Sequence, residues 1–295
     1  MIDLHTHTNE SDGQFTPEEQ VEKALQAGLK ALAITDHDTI TGCSRAVEYA
    51  KNKNKSLSLE QQIEIIPGIE ISCNEPDQSF IEIHVLGLFV DYNNPKLVQF
   101  SENIKQERID QKRKMIQKLQ EFGFEITFEE IVKTTSHSFG RPHVAKALMK
   151  KYPKKFPSVQ SVFDQYLGNG KPAYFERKNY PKIKEAIELI KSAGGLAILA
   201  HPGVYDQKEV PRLLDYFRAC GGQGLETHYS YHLINGLTPE ESARRNKFFQ
   251  EYAQKHSLVQ SGGSDFHGEI RKTVKLGEGN LPYSIVVELK KNLKR

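Results

Sequence analysis

Over roughly the first 90 residues the chain alternates short apolar runs with amphipathic stretches, the pattern of a strand–helix repeat. Ile2–His5 reads as a short strand. Thr16-Pro17-Glu18-Glu19 opens a helix, because Thr16 can cap it, Pro17 suits its first turn and Glu19 completes a capping box. Val21, Ala24 and Leu25 form its apolar face, and Gly28 ends it. Leu29–Thr35 then reads as a buried strand and Thr41–Asn54 as a helix. Ile63–Ile66 reads as a strand leading into Gly68-Ile69-Glu70. In a further strand, Ile81–Phe89, alternation puts Glu82 and His84 on one face and Ile81, Ile83 and Val85 on the other.

The pattern changes near Pro95. Lys96–Phe122 predicts a long, charge-rich helix whose apolar positions are Ile104, Ile109, Met115, Ile116 and Leu119. Shorter helices are predicted near Phe128–Lys133, Arg141–Lys150 and Val159–Leu167, and no strand before Leu196. Residues 100–180 therefore read as a helical insertion. Residues 1–99 and 181–295 read as one α/β framework. There the alternation resumes, with helices over Lys182–Ala193, Glu209–Cys220, Pro239–His256 and Tyr283–Leu293. Strands fall at Leu196–Ala200, Gly224–Thr227 and Leu258–Ser261.

Composition narrows the class. With 38% hydrophobic and 26% charged residues in 295, the chain can bury a core and is not disordered. A net charge of +2 predicts no polyanion partner by itself, although a local basic patch still can. Three scattered cysteines, Cys43, Cys73 and Cys220, make neither a disulfide framework nor a thiolate zinc motif. With no signal-like N-terminus and no apolar run of about 18 residues, the expectation is a cytoplasmic protein without a membrane partner.

Candidate chemistry sits where strands end. Leu4 leads to His5 and His7, and Thr35 leads to Asp36, His37 and Asp38. Ile69 leads to Glu70, Ala200 to His201, and Gly263-Ser264 to Asp265 and His267. Ligands of parallel α/β sheets bind at the carboxyl ends of the strands, so distant segments can make one site. His5 and His7, two apart on an extended strand, point the same way, as do Asp265 and His267. Alone, each has a plain explanation. The His pair could be surface residues, Asp12 a turn aspartate, Asp38 a helix cap, Glu70 a strand-end acid, His84 a satisfied core histidine. Together they are not explained that way. Asp36-His37-Asp38 directly after an apolar strand is costly to bury unless ligated or hydrogen-bonded. Histidines and carboxylates without cysteine select manganese, iron, zinc or magnesium.

The segments HTHTNESDG (His5–Gly13), TDHD (Thr35–Asp38), PGIEIS (Pro67–Ser72), AHP (Ala200–Pro202) and GGSDFHG (Gly262–Gly268) occur in that order. In this the chain resembles the polymerase-and-histidinol-phosphatase (PHP) family. The resemblance implies an irregular (β/α)7-like barrel with a helical insertion and three divalent ions, manganese first, at its carboxyl end. His5, His7, Glu70 and Asp265 would hold one ion. Glu70 would bridge to a second, completed by His84 and His201, and Asp12, His37 and His267 would hold the third. Asp36 and Asp38 would orient His37 or its neighbours from behind. Phe139-Gly140-Arg141-Pro142-His143-Val144-Ala145 and Lys171-Pro172-Ala173-Tyr174 resemble the branch that acts on nucleoside 3′,5′-bisphosphates and on short RNA from the 5′ end. Arg141 and His143 would then bind phosphate and act in catalysis beside Asp265 and His201. Candidates for the general acid are a metal-bound water, His201 and His228. The stretch Thr227–His232 departs from that branch, so His228 would contact substrate, and His228 or His232 would tune its choice or simply sit on a loop. The rivals are a histidinol-phosphate phosphatase, an exonuclease on longer single strands using Lys150-Lys151, Lys154-Lys155 and Arg177-Lys178, and a degenerate scaffold. All nine ligand positions carry competent residue types, which disfavours the last.

Overall fold

The computed structural model describes residues 1–133, 140–234 and 236–293. Phe139 lies outside them. The described chain forms two compact units, residues 1–101 with 180–295 and residues 102–179.

The first unit carries a seven-stranded sheet whose spatial order is the chain order. β1 (Ile2–Asp3) is followed by α1 (Pro17–Gln26), β2 (Ala31–Ile34), α2 (Thr41–Asn54), β3 (Glu64–Glu75) and β4 (Phe80–Leu88). α3 (Pro95–Glu121) leads to the second unit, which holds α4 (Phe128–Val132), α5 (Arg141–Lys151) and α6 (Val159–Val162). The first unit resumes with α7 (Ile183–Ser192), β5 (Leu196–Leu199), α8 (Val210–Ala219), β6 (Gly224–His228), α9 (Tyr231–Ile234), α10 (Pro239–Lys255), β7 (Val259–Gly262) and α11 (Ser284–Asn292). Thr16 caps α1 through the predicted box, its hydroxyl accepting from Glu19 N–H.

Strand direction is mixed. β1, β2 and the first part of β3 run parallel, as do β5, β6 and β7, whereas β4 is antiparallel to both neighbours. β3 changes partner at Pro67: up to there it pairs with β2, and from Gly68 onward with β4. This corrects the expected short strand ending at Ile66. Glu70 lies within β3, not at its end, yet it is level with the rim because β2 stops opposite Pro67. Alternation also breaks in β4. Glu82 has φ +54°, and Ile81 beside it is exposed, not buried with Ile83 and Val85.

The two ends of the sheet meet. Asp265 N–H donates to His5 O at 2.9 Å, His7 N–H to Phe266 O at 2.9 Å, and Thr6 and Phe266 form a parallel bridge. This is the irregular α/β barrel. Its strand residues divide between two cores by parity: Leu32, Ile34, Ala197 and Leu199 pack under α1, α2, α7, α8 and α10. Ala31, Ala33, Leu196 and Ile198 face the other way, with Leu4, Ile66 and Leu88, and α11 adds Val286 and Leu289 to that cluster. With both faces buried, polar side chains belong at the strand ends. The helical unit has its own core of Met115, Leu119, Phe124, Ile131, Val144, Leu148 and Phe156. Among the described residues no helix is long and apolar enough to cross a membrane.

Gly263 is where the closing contact is tightest. A Cβ there would lie 2.4 Å from His5 N and 2.9 Å from Asp3 Oδ1. Gly263→Ala is expected to destabilise the metal-free protein by roughly 1–3 kcal/mol, the usual cost of overpacking. Urea unfolding in the presence of chelator measures this; an unchanged midpoint would contradict the close approach.

Candidate metal centre

Each motif delivers its donors for a local reason. Past β1 the chain stays extended, so His5 and His7 project to the same side, with ring nitrogens Nε2 3.1 Å apart. Past β2, Glu70 N–H donates to Asp36 O and Asp38 N–H to Glu70 O, which sets His37 directly beside Glu70. His84 stands on β4 opposite Ser72 of β3. His201 follows β5, and Asp265 and His267 follow β7. His201, Asp265 and Asp38 have positive φ angles of 29°, 55° and 57°, a backbone conformation that non-glycine residues seldom adopt except where function fixes them.

The nine donors named from sequence come together in four overlapping groups: His7, Asp12, His37 and His267; His5, His7 and Asp265; His5, Glu70 and His201; and His37, Glu70 and His84. Glu70 joins them. Its Oε2 lies 3.4 Å from His5 Nε2, 3.2 Å from His7 Nε2 and 3.1 Å from His37 Nδ1. Its Oε1 lies 3.0 Å from both His84 Nδ1 and His201 Nε2. Asp265 Oδ1 reaches His7 at 3.2 Å and His5 at 3.5 Å. Asp12 Oδ2 faces His267 at 3.3 Å and His37 at 4.0 Å. His7 falls into two groups, standing also with Asp12, His37 and His267.

These donors fit divalent cations. His7 Nδ1, His37 Nδ1, His267 Nε2 and Glu70 Oε2 are buried without a hydrogen-bond partner among the described residues. Buried polar atoms are normally satisfied, so their convergence on a common space calls for a ligand. Electrostatics agree. Burial works against charge throughout, yet Glu226, Glu70 and Asp265 hold the His5 imidazole well above its ordinary value. His7 is likewise buried, and Asp265 and Glu70 push it up to about 10. Glu70 and Asp265 are buried too, but the surrounding histidines hold both carboxyls well below the usual range. Without metal, protons on His5 and His7 balance the carboxylates. Burial brings His37 down to about 3, which keeps it neutral, the form that ligates.

Several supporting residues were not identified from sequence. Glu226 accepts from His201 N–H at 2.7 Å and lies 3.2 Å from His5 Nδ1, so one buried carboxylate orients two donors. Asp3 accepts from Ser264 N and Oγ and from Gly277 N at 2.6–2.9 Å, pinning the loop before Asp265. Burial pushes the Asp3 carboxyl up to about 6 against those donors. Tyr229 Oη and Arg271 Nη1 both donate to Asp265 Oδ2, at 2.8 and 2.5 Å. Only Glu226 carried a sequence signal, an acid at the end of a buried strand.

The oxygens of Asp36 accept from Thr8 N, Thr8 Oγ1 and Ser11 Oγ, all at 2.7 Å, and so hold the loop that carries Asp12, a neighbour of His37. Asp38 accepts from Ser72 N–H at 3.0 Å and does not cap α2, whose N-cap Ile40 has no side-chain bond. His228 turns away from the donors. A bulge after Glu226 breaks the alternation, and its ring lies 3.0 Å from Thr227 Oγ1 and 3.1 Å from Gln250 Nε2. Burial also lowers its pKa. His232 sits on α9 outside the cavity lining. In the helical unit, Arg141 Nη1 donates to Leu167 O and Asn169 Oδ1, both at 3.1 Å, and its guanidinium stacks on Tyr174. His143 Nδ1 accepts from Gly140 N–H at the start of α5.

An α/β barrel with carboxylate-bridged histidines at one rim is the architecture of a metal-dependent hydrolase. The PHP domain profile matches residues 3–198. The 3′,5′-nucleoside bisphosphate phosphatase of Chromobacterium violaceum is 31% identical over 270 residues, 90% of this chain and 87% of that protein. The 5′–3′ exoribonuclease of Haemophilus influenzae is 34% identical over 267 residues, 90% of this chain and 89% of that protein. Among solved structures, a protein of Bifidobacterium adolescentis described as a metal-dependent phosphoesterase matches with a TM-score of 0.73 and 27% identity, over 98% of this chain and 94% of that one. The chain belongs to the PHP domain family, and is a metal-dependent phosphoesterase.

Because His5 and His7 must lose protons to ligate, metal binding releases protons and tightens as pH rises. Manganese occupancy at fixed metal is expected to climb with pH throughout the range below about 10, the His7 value. Titration calorimetry in buffers of different ionisation enthalpy should register the released protons. Binding that is independent of pH and releases none would contradict this assignment.

Proposed function

We propose that the chain is a phosphatase of small nucleotides, with nucleoside 3′,5′-bisphosphates as its substrate class and about three divalent ions, manganese foremost, as cofactor. The observation that carries the reading is Glu70, whose two oxygens serve two different sets of histidines at the floor of a cavity of about 220 Å³. In this reading His5, His7, Asp265 and Glu70 hold one ion; Glu70, His84 and His201 hold a second; Asp12, His37 and His267, with His7 alongside, hold the third. Ions bound there would supply Lewis acidity and activate water for attack on phosphorus. The chain's own residues hold the donors in place: Glu226 fixes His5 and His201, and Tyr229 and Arg271 fix Asp265. His201 Nε2 lies 3.0 Å from Glu70 Oε1, and His201 is assigned as a ligand. Tyr229, Val204 and Ile234 give the cavity an apolar wall for the nucleoside. Arg141 and His143 of the helical unit are assigned to the substrate's other phosphate. The compartment is the cytoplasm, in keeping with three free thiols.

A second reading, 5′-end processing of short RNA, is favoured by one observation. The helical unit has a groove of about 630 Å³ along α5, where His143, Lys146 and Lys150 stand beside the Lys151–Glu130 pair and apolar Ile126, Ile131 and Ala147, and its basic side suits a phosphodiester backbone.

Phosphate release with manganese separates the readings. Adenosine 3′,5′-bisphosphate is expected to be hydrolysed far faster than histidinol phosphate; the reverse order would overturn the proposal. Nucleotide release from 5′-phosphorylated oligoribonucleotides would support the second reading. Asp265→Asn is expected to lose metal and activity together, and a fully active variant with normal metal content would contradict the ligand assignment.

A further inference from the structure

We propose that Arg271 binds the phosphoryl group of the substrate, donating from Nε and Nη2 to its non-bridging oxygens while Nη1 holds Asp265. The inference rests on the phosphatase reading above and adds to it the cation that receives the anion.

Arg271 lines the same cavity as His37, Glu70, His84, His201 and Asp265, and no other lysine or arginine lines it among the described residues. A phosphate monoester brings two negative charges into a cavity that already holds carboxylates, and a guanidinium's planar fork suits two phosphate oxygens at once. Among the described residues, Arg271's hydrogen bonds run through Nη1, to Asp265 Oδ2 at 2.5 Å and Asp265 O at 3.2 Å. The Nε and Nη2 edge has no acceptor among the described residues, and about a third of the side chain is exposed (34%). That edge is therefore free to meet a ligand.

Holding Asp265 does not by itself account for Arg271. Tyr229 Oη already donates to the same oxygen, Oδ2, at 2.8 Å, leaving Oδ1 toward His5 and His7. A second and cationic donor on a metal-ligand carboxylate draws charge away from the ion, which is a cost unless the cation has a further use. Its position is also anchored: Thr273 Oγ1 donates to Leu233 O at 2.9 Å, which ties the segment after Arg271 to α9. Ile234 of α9 lines the same cavity, so Arg271 would stand between the metal donors and the apolar wall.

The test uses the full manganese-loaded protein with Arg271→Met and Arg271→Lys, and inorganic phosphate as the probe. Metal is expected to be retained in both variants, because Tyr229 still holds Asp265 Oδ2. The Kd for phosphate is expected to weaken on the order of 10-fold or more in Arg271→Met, the scale of one lost charge-assisted hydrogen bond, with partial recovery in Arg271→Lys. A phosphate Kd within about twofold of wild type would overturn the proposal. So would loss of metal in both variants, which would make Arg271 a positioning residue for Asp265 only. If wild type itself bound no phosphate, the phosphatase reading would fall with it. Should Arg271→Met not fold, phenylglyoxal labelling of the wild-type holoprotein decides. Phosphate is expected to slow modification of Arg271, read by peptide mass spectrometry, and equal labelling with and without phosphate would overturn the proposal.

Discussion

A carboxylate buried to 1% exposure with five imidazoles around it is the constraint on which this molecule is organised. Glu70 has ring nitrogens of His5, His7, His37, His84 and His201 at 3.0–3.4 Å. An isolated charge so placed would be expelled or neutralised. It persists because four further segments converge on it, and because the same geometry allows protons or divalent cations to balance it. The change of partner in β3 at Pro67 lets one strand present Glu70 to donors following β1, β2 and β5 and to His84 on the antiparallel β4. The meeting of the segments beyond β1 and β7 then brings Asp265 and His267 to the same place.

Around this centre the supports are buried acids rather than apolar packing. Asp3, Asp36 and Glu226 are each fully buried, and each holds backbone N–H groups of loops that carry ligands. Loops at a strand rim have no ladder to fix them, so these side-chain bonds do the work of secondary structure. Donors are thereby fixed before any ion arrives, which reduces the ordering that binding must accomplish.

Much of this was legible in the sequence, for a physical reason. Ligating residues need fixed spacing on strand ends, and such spacing survives as short motifs: His5-Thr6-His7, Asp36-His37-Asp38 and Asp265-Phe266-His267. Alternation located the framework and the helical stretch within it. What the sequence did not disclose depends on register. The bulge after Glu226 that turns His228 aside, the left-handed turn at Glu82 that exposes Ile81, and the partner change in β3 leave no periodic trace. Arg271 was missed because its contact with Asp265 arises from a turn, and nothing near it marks that turn in advance. Adjacency puts Asp36 behind His37 or its neighbours, but cannot name its partners, Thr8 and Ser11, which are 25 and more residues away.

The central claim is that Glu70 joins separate ions into one centre, and metal stoichiometry tests it most directly. Glu70→Gln keeps the volume but replaces one ligating oxygen by an amide nitrogen that cannot ligate in the same way. Wild type loaded with manganese is predicted to retain about three ions per chain after desalting and the variant one or fewer, with the fold intact by circular dichroism. A variant that kept the wild-type complement of ions would contradict the account.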